Sequence, residues 1–145
     1  MIRYLLDSDH ISFFLRGDAV TQNRLREEIK VTGISIISVQ EVFNGWVSLL
    51  NRSDNEINRI RSYENFYAAM MFFKSMPVLN YDNSASQIYR QLIQDNSELG
   101  KRRLEKDIRI ASIALSLDAT IATIVTRNYR DFSLVPGLKI VDWSV

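Results

Sequence analysis

Cysteine is absent from the 145 residues of this chain. Disulfides, thiol nucleophiles, thiolate zinc sites and iron–sulfur clusters are excluded together, and the composition fits a reducing compartment. There is one histidine, His10, so a multi-histidine metal site within one chain is excluded. A Ser-His-Asp triad would have only His10 to use, and no G-x-S-x-G elbow accompanies it. Metal chemistry here is therefore oxygen chemistry, through Asp, Glu and Asn, which favours magnesium or manganese. No apolar run approaches the roughly 20 residues that span a bilayer. Asp7 and Asp9 interrupt the first apolar stretch, so neither a signal peptide nor a membrane anchor is expected, and the expected location is the cytoplasm. An excess of charge of one sign is also lacking: 18 basic and 17 acidic side chains leave a net charge of +1. No global basic field announces a nucleic-acid partner, which would need a local patch.

Against these absences stand 46% hydrophobic and 24% charged residues, an ordinary soluble composition. The length suits one domain over residues 1–145, long enough to bury roughly 70% of its unfolded surface. Five apolar runs read as short strands: Ile2 to Leu6, Gly33 to Ile37, Pro77 to Asn80, Thr120 to Val125 and Leu138 to Val141. Between them apolar residues recur at helical spacing. Ile11, Phe14 and Leu15 mark a first helix, and Leu25 and Ile29 a second. Val39, Val42, Phe43, Trp46 and Leu49 mark a third. Ile57, Ile60, Tyr63, Tyr67 and Met70 lie along a long fourth, Ala85, Ile88, Tyr89 and Leu92 on a fifth, and Ile108, Ala111 and Leu115 on a sixth. Pro77 and Pro136 fall at strand entries or loops, and Gly17, Gly100 and Gly137 at turns. Strands separated by helices imply an α/β fold with a mostly parallel central sheet of about five strands, covered on both faces.

In such a sheet ligands bind at the carboxyl ends of the strands. Asp7 and Asp9 follow the first strand directly, Glu41 lies one turn into the helix after the second, and Asp107 opens the helix leading to the fourth. Asn128 and Asp131 follow the fourth strand. Carboxylates gathered there repel one another, and a divalent cation is the simplest compensation. Helix capping offers a plainer account of several. Ser38-Val39-Gln40-Glu41 reads as a capping box, Asp107 suits a helix dipole, Asn128 is a good N-cap, and Asp9 could cap the first helix. Taken singly, capping explains Glu41, Asp107 and Asn128 well. Asp7 is harder to explain so, because a carboxylate flush against a buried strand needs a partner. Arg127 and Arg130 flank Asn128 and are candidate phosphate contacts, whereas Lys101, Arg102, Arg103 and Lys106, with Glu98 and Glu105 among them, read as a solvated face. His10 reads as a residue of the first helix rather than a base. Phe66, Tyr67, Phe72 and Phe73 read as core or interface, and Trp46 and Trp143 as packing anchors.

Together these segments resemble the PIN-domain ribonucleases, and more narrowly the VapC toxins of type II toxin–antitoxin systems. The resemblance is carried by Tyr4-Leu5-Leu6-Asp7-Ser8-Asp9-His10-Ile11-Ser12, by Ile34 to Trp46, by Asp107 to Leu115, by Ile124 to Phe132, and by Val135-Pro136-Gly137-Leu138 with Val141-Asp142-Trp143. These stretches occur from end to end, in the family's order and at its spacing. The resemblance implies a PIN-like three-layer α/β/α sandwich and RNA cleavage dependent on Mg²⁺ or Mn²⁺. The family's first three acids fall on Asp7, Glu41 and Asp107, the expected metal ligands. A fourth position, often acidic in the family, falls on Asn128, with Asp131 close behind as a possible substitute ligand. Asp9, where the family commonly shows Asn, and Ser38 are expected to support the ligands through hydrogen bonds. Arg127 or Arg130 would meet the substrate phosphate. The resemblance further implies an RNA substrate such as tRNA, a homodimer, and a small cognate antitoxin laid along an apolar groove near the acids, with the helix around Ile57 to Met71 lining it.

Two other readings remain open at this level. A PIN domain that binds RNA or antitoxin without cutting is favoured by Asn128. An aspartyl-phosphate phosphohydrolase is suggested by Asp7-Ser8-Asp9, although His10 and Ile11 follow where that class needs a hydroxyl.

Overall fold

Tyr4-Leu5-Leu6 forms β1 (Tyr4–Leu6), the middle strand of a parallel sheet, in a computed structural model that describes residues 1–118 and 122–145. Around it the chain alternates strand and helix. There follow α1 (Ser8–Leu15), α2 (Ala19–Glu28), β2 (Thr32–Ser35), α3 (Ile36–Arg52), α4 (Glu56–Ser75), β3 (Val78–Leu79), α5 (Asn83–Asp95), α6 (Glu105–Asp118), β4 (Thr123–Val125), the short α7 (Tyr129–Phe132) and β5 (Lys139–Val141). Short 3₁₀ turns stand at Ile29–Val31, Ser97–Gly100 and Arg102–Leu104. The sheet has five strands in the order β3-β2-β1-β4-β5, every neighbouring pair parallel. Leu6 pairs with Ile34 on one side and Val125 on the other.

The period of two along each strand divides the core. Leu5 and Ile124 face one way, into a cluster with Ala85, Leu104, Ile108 and Phe132 from the α5–α6 side. Leu6, Ile34 and Val125 face the other way, into Ile11, Leu25, Val42, Phe72, Phe73 and Trp143 on the α1–α4 side. Helices therefore cover both faces, in three layers. Polar side chains start most of these helices. Asp18 accepts the Thr21 N–H (2.9 Å), Asn55 that of Asn58 (2.9 Å) and Asp82 that of Ala85 (3.0 Å). Gly17, at φ +86°, ends α1 in the left-handed region.

Several boundaries differ from the sequence reading. The β-branched run from Gly33 to Ile37 is a strand only as far as Ser35, because the Ser35 hydroxyl accepts the Ser38 N–H (3.0 Å) and starts α3 there. Ser38 is thus a buried first-turn residue rather than an N-cap, and the capping box read over Ser38 to Glu41 does not form. Asp7, not Asp9, caps α1. The expected fourth strand begins at Thr123; Thr120 and Ile121 lie outside the described residues. The long fourth helix is present, but Ile57, Ile60, Tyr63 and Tyr67 along it are exposed, and its burial comes from Ala69, Phe72 and Phe73.

Candidate active site

The strand order walks outward from β1 in both directions, to β2 and β3 on one side and to β4 and β5 on the other. The crevice between the carboxyl ends of β1 and β4 is where such a sheet binds ligands. Asp7 stands in it. Its N–H donates to the Val125 carbonyl (3.0 Å), which holds it in line with the strand. Its side chain is only 6% exposed. One oxygen accepts the Ser8 N–H (2.8 Å) and the other the Thr126 hydroxyl (2.8 Å). Burial first, and then the charge of Asp9, push the Asp7 carboxyl up to about 6, against the smaller pull of the Thr126 and Ser8 hydrogen bonds.

Asp107 lies in the first turn of α6, which carries it to the same edge. Its carboxyl is also raised to about 6, by burial and then by the charges of Glu41 and Asp131. The Asn128 amide nitrogen donates to Asp107 (3.1 Å) and to Asp131 (3.2 Å), while the Asn128 oxygen caps α7 by accepting the Asp131 N–H (3.4 Å). Asn128 thus holds two carboxylates side by side. Glu41, in the second turn of α3, is pushed up by burial and by Asp7, against the opposing charge of Lys106. One of its oxygens is buried with no hydrogen-bond partner. That is an unusual condition for a carboxylate, since an unsatisfied buried acceptor costs about 1–3 kcal/mol or more when charged.

The remaining candidates are placed differently. Asp131 is bound from two sides, by the Asn128 amide and by Arg103 at 3.2 Å. Asp9 accepts from Arg127 N–H (2.9 Å) with one oxygen and contacts His10 Nδ1 (2.8 Å) with the other. Burial raises Asp9, but His10 and Arg127 outweigh it and leave the carboxyl below its ordinary value. Ser38 accepts a hydrogen bond from the Ser35 hydroxyl (3.1 Å), one turn before Glu41. Arg127 lays its guanidinium over the Phe13 ring, 5.5 Å from the centroid, and Arg130 is exposed.

One residue outside the sequence reading belongs to this site, as do two that the sequence reads as solvent-facing. Thr126 is buried and links Asp7 to Asn128, whose N–H donates to its hydroxyl (3.0 Å). It follows β4 in the same register in which Asp7 follows β1, so aligning the two strands would have found it. Lys106 and Arg103, read as part of a solvated run, contribute positive charge at the rim, whereas Lys101 of that run pairs with Glu98 (2.5 Å).

Among the described residues, no three His, Asp or Glu side chains stand close enough to hold one metal ion as they are. The donor set nonetheless fits a divalent cation chemically. Asp7 just after β1, Glu41 in α3 and Asp107 in α6 are each raised by another of the three, and one oxygen of Glu41 is buried without a donor. Beside them runs a groove of about 1080 Å³, whose lining includes Asp9, Arg16, Glu41, Trp46, Arg52 and Ala68. Trp46 packs against the α1–α4 cluster and also lines this groove, while Trp143 is the deeper packing anchor, 1% exposed. Helix α4 reaches this groove through Asn65 and Ala68 rather than through its exposed apolar stripe. Among the described residues no helix is long and apolar enough to cross a membrane.

No family model matches the chain, and no curated protein matches it. Solved structures do. A chain of the DNA-bound VapBC from Salmonella typhimurium is similar at TM-score 0.76 and 25% identity, covering 99% of both chains. A chain of VapBC2 from Rickettsia felis, bound to a DNA fragment from its promoter, gives 0.77 at 22% identity, again over 99% of both. VapBC-1 from nontypeable Haemophilus influenzae gives 0.76 at 22%, over the whole of both chains. The five-stranded parallel sheet with helices on both faces is thus the PIN-like fold of VapC-type neighbours, matched from end to end.

Proposed function

We propose that this VapC-like chain is the toxin of a toxin–antitoxin pair and hydrolyses RNA phosphodiesters with Mg²⁺ or Mn²⁺. One observation carries the reading. Asp7, Glu41 and Asp107, which follow or lie on three separate elements, are near enough to feel one another's charge, and each is raised by burial and by another carboxylate of the group. Capping accounts for Asp7 at the start of α1 and the helix dipole suits Asp107, but neither accounts for carboxyls that raise one another at a ligand-binding edge. Asp7, Glu41 and Asp107 would hold the cation. When bound, it supplies Lewis acidity at the scissile phosphate and offsets the carboxylate charge.

The chain's own groups do the rest. The Ser8 N–H and the Thr126 hydroxyl fix both oxygens of Asp7, and the Asn128 amide orients Asp107. Asn128 thereby serves the site as a donor, and Asp131, engaged by Arg103 and Asn128, stands behind Asp107 as a reserve carboxylate. Lys106, Arg127 and Arg130 are exposed basic residues near this edge, the local patch that a chain of net charge +1 needs to draw in a phosphate backbone. The substrate class is structured RNA such as tRNA, met in the cytoplasm by a homodimer. The groove past Glu41 would seat a small cognate antitoxin, which would occlude the acids. The neighbours' assembly as VapBC supports that partner.

The test is cleavage of a total RNA digest by wild type and by Asp7→Asn, each with Mn²⁺, with Mg²⁺ and with EDTA. Cleavage that needs both metal and Asp7 supports the reading. Equal cleavage by both proteins overturns the site. Tight RNA binding by wild type without cleavage would favour the non-cutting PIN domain, the alternative that Asn128 in place of a fourth acid keeps open.

A further inference from the structure

His10 is fully buried and has no role in the function just proposed, yet its ring sits between the acids and the last turn of the chain. The Trp143 N–H points at Nε2 from 3.0 Å. A backbone amide can only donate, so Nε2 is an acceptor and the ring proton lies on Nδ1. Nδ1 stands 2.8 Å from Asp9 Oδ1. Asp142 Oδ1 is 3.2 Å from Nε2 but takes its own donors from the Ser144 N–H (2.8 Å) and hydroxyl (2.6 Å). Phe13 closes the ring's other side edge-on, at 5.6 Å between centroids.

The next link decides what this arrangement does. The Thr126 hydroxyl has a single proton and two carboxylates within reach, Asp7 at 2.8 Å and Asp9 at 3.4 Å. Asp7 receives it. Asp9 can forgo it because His10 supplies one of its oxygens and the Arg127 N–H the other. Without the imidazole donor, Asp9 would be a short-supplied carboxylate beside a hydroxyl that the site needs elsewhere.

We infer that His10 is a positioning residue for cation binding: by satisfying Asp9, it leaves the Thr126 hydroxyl to hold Asp7 in its ligating orientation. The inference rests on the nuclease reading for what Asp7 binds. It also makes the Trp143 backbone part of the support of the site, since its N–H sets which ring nitrogen carries the proton.

Two near-isosteric substitutions separate the ring's two jobs. An Asn amide reaches the place of Nδ1, and a Gln amide that of Nε2. His10→Asn keeps a donor for Asp9 and gives up the acceptor for Trp143; His10→Gln does the reverse. The measurement is the Mn²⁺ affinity of the full chain, read from the free-ion electron paramagnetic resonance signal, with hydrogen exchange at the Arg127 amide alongside. The expected result is a 10- to 100-fold loss of affinity in His10→Gln, about the size seen when the outer partner of a ligand is removed, with faster Arg127 exchange. His10→Asn recovers most of the affinity. The wild type gives a readout that needs no variant to fold: its imidazole should show the Nδ1–H tautomer, and that resonance should move as Mg²⁺ is added. Equal Mn²⁺ affinity in all three proteins, or the other tautomer in the wild type, overturns the inference and leaves the metal site standing. Absence of Mn²⁺ binding in the wild type overturns the nuclease reading itself, and this inference with it.

Discussion

Two acidic clusters lie on either side of Thr126, and they are built in opposite ways. Asp7 accepts two hydrogen bonds and Asp107 one, yet burial and neighbouring carboxylates raise both, and Glu41 with them; a buried oxygen of Glu41 has no donor. Asp9 and Asp142 gather about His10 with donors on every side, from imidazole, backbone N–H and serine hydroxyl, and both carboxyls sit below their ordinary value despite burial. The residue types are the same, and Asp7 and Asp9 are two positions apart. What separates them is depth of burial and the kind of neighbour: Asp7 is buried beside another carboxylate, whereas Asp9 is less buried and contacts the His10 imidazole. A carboxylate cluster balanced by its neighbours holds the chain together, and one in which burial and like charge prevail is, on the proposed reading, the place for a cation.

The sharpest way to break this contrast is to neutralise one acid of each cluster. Asp7→Asn should lower RNA cleavage by about 10³-fold or more, the several kcal/mol that a lost metal contributes to a transition state. Denaturant unfolding of the same variant should show stability held or increased, because a neutral amide escapes the repulsion. Asp142→Ala should do the opposite: it should lose stability by about 1 kcal/mol through two hydrogen bonds from Ser144, with cleavage much less affected. If Asp7→Asn proved the less stable of the two, the contrast would be wrong.

Cation addition comes next in size. Mn²⁺ at about 100 times its dissociation constant should stabilise the wild type by about 2.7 kcal/mol, reversed by EDTA. The gain should shrink in Glu41→Gln and persist in Asp142→Ala, as followed by thermal melts.

The clusters should also respond to pH with opposite signs. Asp7 and Asp107 have folded-state values near 6, above the ordinary 3.8, so the folded chain binds their protons more tightly than the unfolded one. The stability they contribute is full below about pH 4 and is lost as pH rises through about 6. In EDTA the protein should gain about 1–2 kcal/mol between pH 7.5 and pH 5, mostly from the more deeply buried Asp7. Asp9 and Asp142 are lowered, so their contribution is present above the ordinary value and is lost on going further down. Melts across this range should therefore peak between the two effects, and Asp7→Asn should flatten the upper limb only.

The smallest effect is at the rim. Lys106→Ala should slow cleavage roughly threefold, more at low salt than at high, because an exposed charge is worth little and is screened. Arg130→Ala should do no more than that.

The strand–helix alternation and the sheet were legible because strands buried on both faces write continuous apolar runs, and their ends follow from where polarity begins. Asp7, flush with Leu5-Leu6, announced the switch point for that reason. Ile36 and Ile37 misled because β-branched residues in line with an apolar strand read as its continuation; the hydroxyl of Ser35, which accepts the Ser38 N–H, starts the helix instead. The stripe from Ile57 to Met70 has helical spacing, but spacing cannot say whether a face meets core or solvent. Thr126 and His10 were hidden for another reason. Their importance lies in hydrogen bonds to residues more than a hundred positions away in sequence, and only register across β1 and β4 or the closure of the C-terminal turn brings those partners together.

The register joining Leu6 to Val125 has a consequence for the timing of synthesis. The first acid is made more than a hundred residues before the hydroxyl that holds it and the tryptophan that seats the buried imidazole. A polypeptide cut short before Thr126 cannot complete the crevice. On the reading proposed above, cleavage of RNA therefore waits until β4 and the turn after β5 have been made.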